Sequence, residues 1–284
     1  MKKNIQKAYK ILRNNLLYFQ PLLIYLMIIS FALPVIMSAK VSVHPKTVLT
    51  ISMFLLTVAN IAGWFHINKL AVISYDENDE PDIVAEKNIT NFKTYFSGVG
   101  ENFGKVLLGG IIFLVFYIFA AIGLSKLCMI AFGEPVIALK FKEMTELKTV
   151  QDFTNFFASF PQKDILIFKL WLLVIFFAGV LFNFFGFLYF TVLIFEKDNP
   201  FMALLNMLKF FFKNIFGSIA VIAYMILLYF VLNILSLLFG ATSFGFAILM
   251  ILLSVYLNYY LLLVFCFYDE KTKNNSNCRS EFIG

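Results

Sequence analysis

The sequence predicts an all-α, polytopic membrane protein with six transmembrane helices, and three observations carry that prediction. Hydrophobic residues make up 61% and charged residues 14% of the 284, whereas a soluble domain is about half apolar and a quarter charged. The 55 residues from Asn214 to Tyr268 contain no Asp, Glu, Lys or Arg. That run suffices for two crossings of about 20 residues each, parted by the turn-like Gly240-Ala241-Thr242-Ser243. Four further uncharged runs add four spans: Asn14 to Ala39, Thr47 to Asn68, Val106 to Ser125 and Leu170 to Phe195.

The first span follows a basic start, but its apolar run is longer than a signal-peptide core and Met37-Ser38-Ala39 is a poor cleavage site, so it reads as a retained anchor. Pro21 sits where a missing N–H costs little, and Pro34 is placed to bend or end the helix. The second span carries Asn60, His66 and Asn68. Gly104, Gly109 and Gly110 in the third span, with Gly179 and Gly186 in the fourth, offer close-packing surfaces. Between them an external loop, residues 126–163, places Asp152 three residues after Thr149, a capping-box spacing that predicts a short helix from Val150 to Phe160. Its stripe of Phe153, Phe156, Phe157 and Phe160 is expected to rest on the membrane surface. Asn183, Asn233 and Asn258 mark the fourth, fifth and sixth spans. The single membrane domain is expected to cover 1–268, with 269–284 a polar, disordered tail.

The net charge of +6 is dispersed over span ends instead of forming a patch with interleaved aromatics, which argues against a nucleic-acid partner. Lys and Arg number 15 in the alternate set of segments that includes both termini and 8 in the other set. The positive-inside rule therefore places both termini in the cytoplasm.

A threefold repeat underlies the hydrophobicity. Three spans end in Tyr75-Asp76-Glu77, Phe195-Glu196-Lys197 and Tyr268-Asp269-Glu270. Three others follow the polar starts Asn14-Asn15-Leu16, Glu101-Asn102-Phe103 and Lys213-Asn214-Ile215. Ahead of each start lies an apolar stripe at helical spacing: Ile5, Ala8, Tyr9, Leu12, Leu16; Ile89, Phe92, Phe96, Val99, Phe103; and Phe201, Leu204, Leu208, Phe211, Ile215. These predict amphipathic helices lying in the interface, with Lys7, Lys10, Arg13, Lys93, Lys209 and Lys213 reaching lipid headgroups. The expected repeats are 5–77, 86–197 and 200–270, each an interfacial helix followed by a transmembrane hairpin.

Chemistry is sparse. No HExxH, CxxC, GxGxxG or Walker A pattern occurs, and Gly98-Val99-Gly100 has no strand before it to make a phosphate loop. Cys128, Cys266 and Cys278 lack the spacing of a disulfide framework or zinc site. No catalytic, metal or cofactor site is predicted. The remaining candidates are the intramembrane polar residues Asn60, His66, Asn68, Asn183, Asn233 and Asn258, since an amide in hydrocarbon must face another helix or water. At 100° per residue Asn60, His66 and Asn68 do not share one face. His66, beside Trp64 and Lys69, reads as an interfacial anchor.

The stretch Asn91-Phe92-Lys93-Thr94-Tyr95-Phe96 through Glu101-Asn102-Phe103-Gly104-Lys105-Val106-Leu107-Leu108-Gly109 resembles YesL-like bacterial membrane proteins. The triple hairpin is also similar to the membrane domains attached to some bacterial glycerophosphodiester phosphodiesterases. The first resemblance implies a bacterial inner-membrane protein, an accessory to transport; the phosphodiesterase domain is missing, so its activity is not implied. The expected function is a non-enzymatic scaffold or transport-accessory component partnered by lipids and other membrane proteins. The alternative is a permease for a small or lipid-soluble substrate, with its cavity between the hairpins.

Overall fold

The computed structural model describes residues 1–38, 42–140, 143, 149–196, 199–239 and 242–281, and the side chains of all of these except 16, 81, 243 and 274–281. No strand occurs among the described residues. Helix α1 is Lys2–Asn14, α2 is Gln20–Met37 after a 3-10 turn at Leu16–Phe19, and α3 is Val43–Ser74. Then come α4 (Pro81–Lys93), α5 (Tyr95–Phe132), α6 (Val136–Leu139), α7 (Val150–Ala158) and α8 (Gln162–Glu196). The last three are α9 (Pro200–Lys213), α10 (Ile215–Phe239) and α11 (Ser243–Glu281). Six of them, α2, α3, α5, α8, α10 and α11, are long and apolar enough to cross a membrane. The fold is all-α and polytopic. The expected turn at Gly240-Ala241 lies outside the described residues.

The order of elements repeats three times: a short helix (α1, α4, α9), an outgoing helix (α2, α5, α10) and a returning helix (α3, α8, α11). What breaks each short helix from the next is a side chain that caps the last turn. The Asn15 amide donates to the Ile11 carbonyl at 2.8 Å, and Asn214 to that of Phe210 at 3.0 Å. Thr94 donates to the Asn91 carbonyl at 2.6 Å. Such bonds satisfy carbonyls that the helix end would otherwise orphan. Helices α4 and α9 each open on a proline, Pro81 and Pro200, in the first turn, where its missing N–H breaks no helical bond.

These boundaries correct the second repeat. It begins at Pro81 rather than 86, and its break is Thr94, not Asn102, which lies inside α5 and donates to the Gly98 carbonyl one turn back at 2.9 Å. The expected stripe from Ile89 to Phe103 therefore straddles a break, and Phe96 is 82% exposed.

The chain forms two compact units, residues 1–112 with 185–284, and residues 113–184. In the first, the short helices pack on the long ones. Each seats on a returning helix of the preceding repeat. Asn91 on α4 donates to the Ser74 hydroxyl of α3 at 3.2 Å. On α9, Asn206 donates to Glu196 of α8 at 2.9 Å, and Tyr189 of α8 donates to the Pro200 carbonyl at 3.1 Å. Helix α1 seats on α11 of the third repeat: Asn4 donates to Glu270 at 2.6 Å and Lys7 pairs with Asp269 at 3.6 Å. The ring thus closes from the last repeat onto the first. The apolar faces follow this seating, with Ala8, Ile11 and Leu12 buried on α1 and Ala203, Leu204, Met207, Phe210 and Phe211 on α9. Lys7 and Lys10 meet acidic span ends, Asp269 and Glu77.

The three returning helices meet through aromatic rings. Phe65 of α3 lies 6.1 Å from Phe187 and 5.9 Å from Phe190 of α8, and 5.5 Å from Phe265 of α11, ring centre to ring centre. Phe187 in turn packs on Tyr260 at 4.6 Å. The final helix corrects the expected tail, because α11 continues past Tyr268 and Asp269 is buried between Lys7 and Lys273. A charged end that pairs with side chains of a neighbouring helix is held in the fold, whatever its polarity.

In the second unit the predicted capping box is present: the Thr149 hydroxyl accepts the Asp152 N–H at 3.1 Å and the Thr149 N–H donates to the Asp152 carboxylate at 2.9 Å. Helix α7 stops at Ala158, and Phe157 of its stripe turns to Phe168 at 6.0 Å. The Trp171 indole donates to the Gly133 carbonyl at 3.1 Å, where the backbone adopts a φ of 92° that glycine accommodates.

Candidate functional site

Of the six sequence candidates, the structure engages four in contacts between or within packed helices. Asn258 is fully buried on α11, and its side-chain oxygen accepts the Trp64 indole N–H of α3 at 2.7 Å. Asn68, also fully buried, donates to the Trp64 carbonyl at 2.8 Å. Because an indole N–H only donates and a carbonyl only accepts, both amide orientations are set. The other half of each amide, Asn258 Nδ2 and Asn68 Oδ1, has no hydrogen-bond partner among the described residues. Asn60 accepts the Tyr95 hydroxyl at 3.0 Å. His66 lies 3.5 Å from the Asn102 amide through Nδ1 and packs its ring on Gly98.

Asn183 and Asn233 stand apart. Both are exposed on their helices, and Asn233 returns its amide to the Tyr229 carbonyl at 2.9 Å. Trp64 and Lys69 correct the anchor reading for this stretch. Trp64 is buried, and Lys69 donates to the Ile194 carbonyl at 2.7 Å with its ammonium over the Phe195 ring at 5.3 Å. His66 belongs to the α3–α5 contact. Close packing at glycine also differs from expectation. Added Cβ atoms at Gly63 and Gly98 would meet Tyr95 and His66, and at Gly109 Leu193 and Tyr189, whereas Gly104, Gly110 and Gly179 face open space. Gly98 and Gly100 are helical residues of α5, not a phosphate loop.

Compared with protein-family models, curated proteins and solved structures, the chain finds no match. Its chemistry is therefore argued from its own residues.

At the short-helix end, a pocket of about 410 Å³ opens between the end of α1, the end of α3 and the start of α4. Lys10 and Arg13 line one side, and Asp76, Glu77 and Asp79 the other, with Tyr75 between. Burial lifts the Tyr75 phenol above its ordinary pKa, against the opposing pull of Lys10. Lys10 is held by Glu77 at 3.5 Å, and Lys87 holds Asp79 at 2.6 Å. A recess of about 20 Å³ adjoins this pocket, sharing Asn14, Tyr75, Asp79 and Val84 and reaching Asn15. No sequence motif marks this site, since its residues come from two repeats. The acidic exit Tyr75-Asp76-Glu77 was the only signal within reach.

Proposed function

We propose that this protein is a non-enzymatic membrane component, a scaffold or transport-accessory subunit whose hairpins form a packed body. The observation that supports this reading is the aromatic junction of the three returning helices. Phe65, Phe187, Phe190 and Phe265 pack together where the three returning helices meet, between the hairpins where a permease would have its cavity. Aromatic packing of this kind contributes beyond area burial, about 0.5–1.5 kcal/mol per ring pair, and a substrate route would forgo it. The buried asparagines then serve as interhelical hydrogen-bonding groups. The resemblance to YesL-like proteins supports a place in the bacterial inner membrane, and the distribution of Lys and Arg supports cytoplasmic termini. Lipids and other membrane proteins are the partners this reading implies; nucleic acid is not.

The test is cysteine accessibility. In a variant with Cys128, Cys266 and Cys278 replaced, Phe65→Cys and Phe265→Cys should stay unreactive to a membrane-impermeant maleimide in intact cells and in inverted vesicles. Labelling of both from one side would mean a water-filled route between the hairpins and would favour the permease. A subunit role additionally predicts a partner that remains bound through purification in gentle detergent.

A further inference from the structure

The pocket at the short-helix end has features of a binding site for a small zwitterion, an inference independent of the scaffold reading. It lies just beyond the ends of two apolar helices, which begin at Leu17 and end at Ser74. With Lys10 held by Glu77 and Lys87 by Asp79, Arg13 and Asp76 are the two lining charges that make no ion pair among the described residues. Asp76 accepts from Asn78 at 2.9 Å, and its charge stays unmatched. One cation and one anion facing the same cavity suit a ligand that carries both signs. A purely anionic ligand would meet three carboxylates, and a purely cationic one two basic side chains.

The adjoining recess supplies the second observation. Asn15 is 5% exposed and its amide nitrogen is committed to the Ile11 carbonyl, so its oxygen is fixed as an acceptor. That oxygen has no partner among the described residues. A buried acceptor left unpaired is costly, and the recess that Asn15 lines is large enough for one water-sized or ammonium-sized donor.

We propose that this pocket binds a phosphoethanolamine group, with its phosphate on Arg13 and its ammonium directed to Asp76 and the mouth of the Asn15 recess. Guanidinium and phosphate match in bidentate geometry, and a primary ammonium offers three donors to the carboxylate and amide oxygens. The group has two sources, the headgroup of an ethanolamine phospholipid or a soluble phosphoethanolamine.

The full chain in nanodiscs of phosphatidylcholine with equal amounts of phosphatidylethanolamine and phosphatidylglycerol is released and weighed by native mass spectrometry. Retention of one phosphatidylethanolamine in preference to the other two lipids is expected, weakened about tenfold by Arg13→Gln through loss of a charge-assisted pair. Lys3→Gln, which removes an exposed cation away from the pocket, should leave it unchanged. Equal retention of phosphatidylglycerol, or a preference that Arg13→Gln does not alter, would overturn the proposal for the lipid. The delipidated protein is then titrated with phosphoethanolamine, inorganic phosphate and ethanolamine. Without a phosphatidylethanolamine preference, thermal stabilisation by the zwitterion alone assigns the site to the soluble group, and selectivity in neither arm overturns the proposal entirely.

Discussion

The indole N–H of Trp64 donates to the side-chain oxygen of Asn258 at 2.7 Å, tying the returning helix of the first repeat to that of the third across 194 positions of sequence. Both residues are buried in apolar spans, so neither group has water as an alternative partner. Asn258→Leu should therefore destabilise the protein by about 1–3 kcal/mol, because it strands the indole donor. Trp64→Phe combined with Asn258→Leu should recover part of that loss. Thermal unfolding in detergent of the two single variants and the double variant measures this coupling, and strict additivity would argue against it.

Gly98 offers a contrast within one helix. A Cβ there would lie 2.5 Å from the His66 ring and 2.6 Å from the His66 Cβ, atoms that cannot swing aside, while at Gly104 a Cβ meets nothing within 4 Å. Gly98→Ala should cost about 1–3 kcal/mol through overpacking. Gly104→Ala should be neutral or stabilising by up to about 1 kcal/mol from helix propensity. Equal effects in a melting comparison would mean that α3 and α5 do not approach as described.

Orientation yields a third expectation. Reporter fusions after Glu80 and after Lys271 should read cytoplasmic, and a fusion after Ala39 external, following the basic asymmetry. A tail reporter that reads external would defeat the assignment of both termini to the cytoplasm.

The spans are legible in the sequence because absence of charge over about 20 residues is a local property with one physical meaning in a bilayer. The capping box at Thr149 and Asp152 is legible for the same reason, since both partners lie within one turn. The seating of the short helices is not. A stripe such as Ala8 and Leu12 says that a face is covered, but lipid and protein cover it equally well, and only the Lys7 and Asn4 contacts with Asp269 and Glu270 decide between them. The start of the second repeat is not legible from its polar entry because Asn102 resembles Asn15 in its neighbours; the prolines at Pro81 and Pro200 carry the better signal. Neither Trp64 with Asn258 nor the pocket between α1 and α3 has a local signature, because each joins residues distant along the chain.

The central claim is that α1 closes the ring by seating on the third repeat, and a cross-link tests it most directly. Asn4→Cys and Glu270→Cys are introduced together in the chain freed of its natural cysteines, with a protease site in the loop between α5 and α8. After mild oxidation in native membranes and proteolysis, the two fragments should remain joined until reductant is added, since Asn4 donates to Glu270 at 2.6 Å. Fragments that separate without reductant, in protein that is inserted and abundant, would contradict the ring and return α1 to the lipid surface.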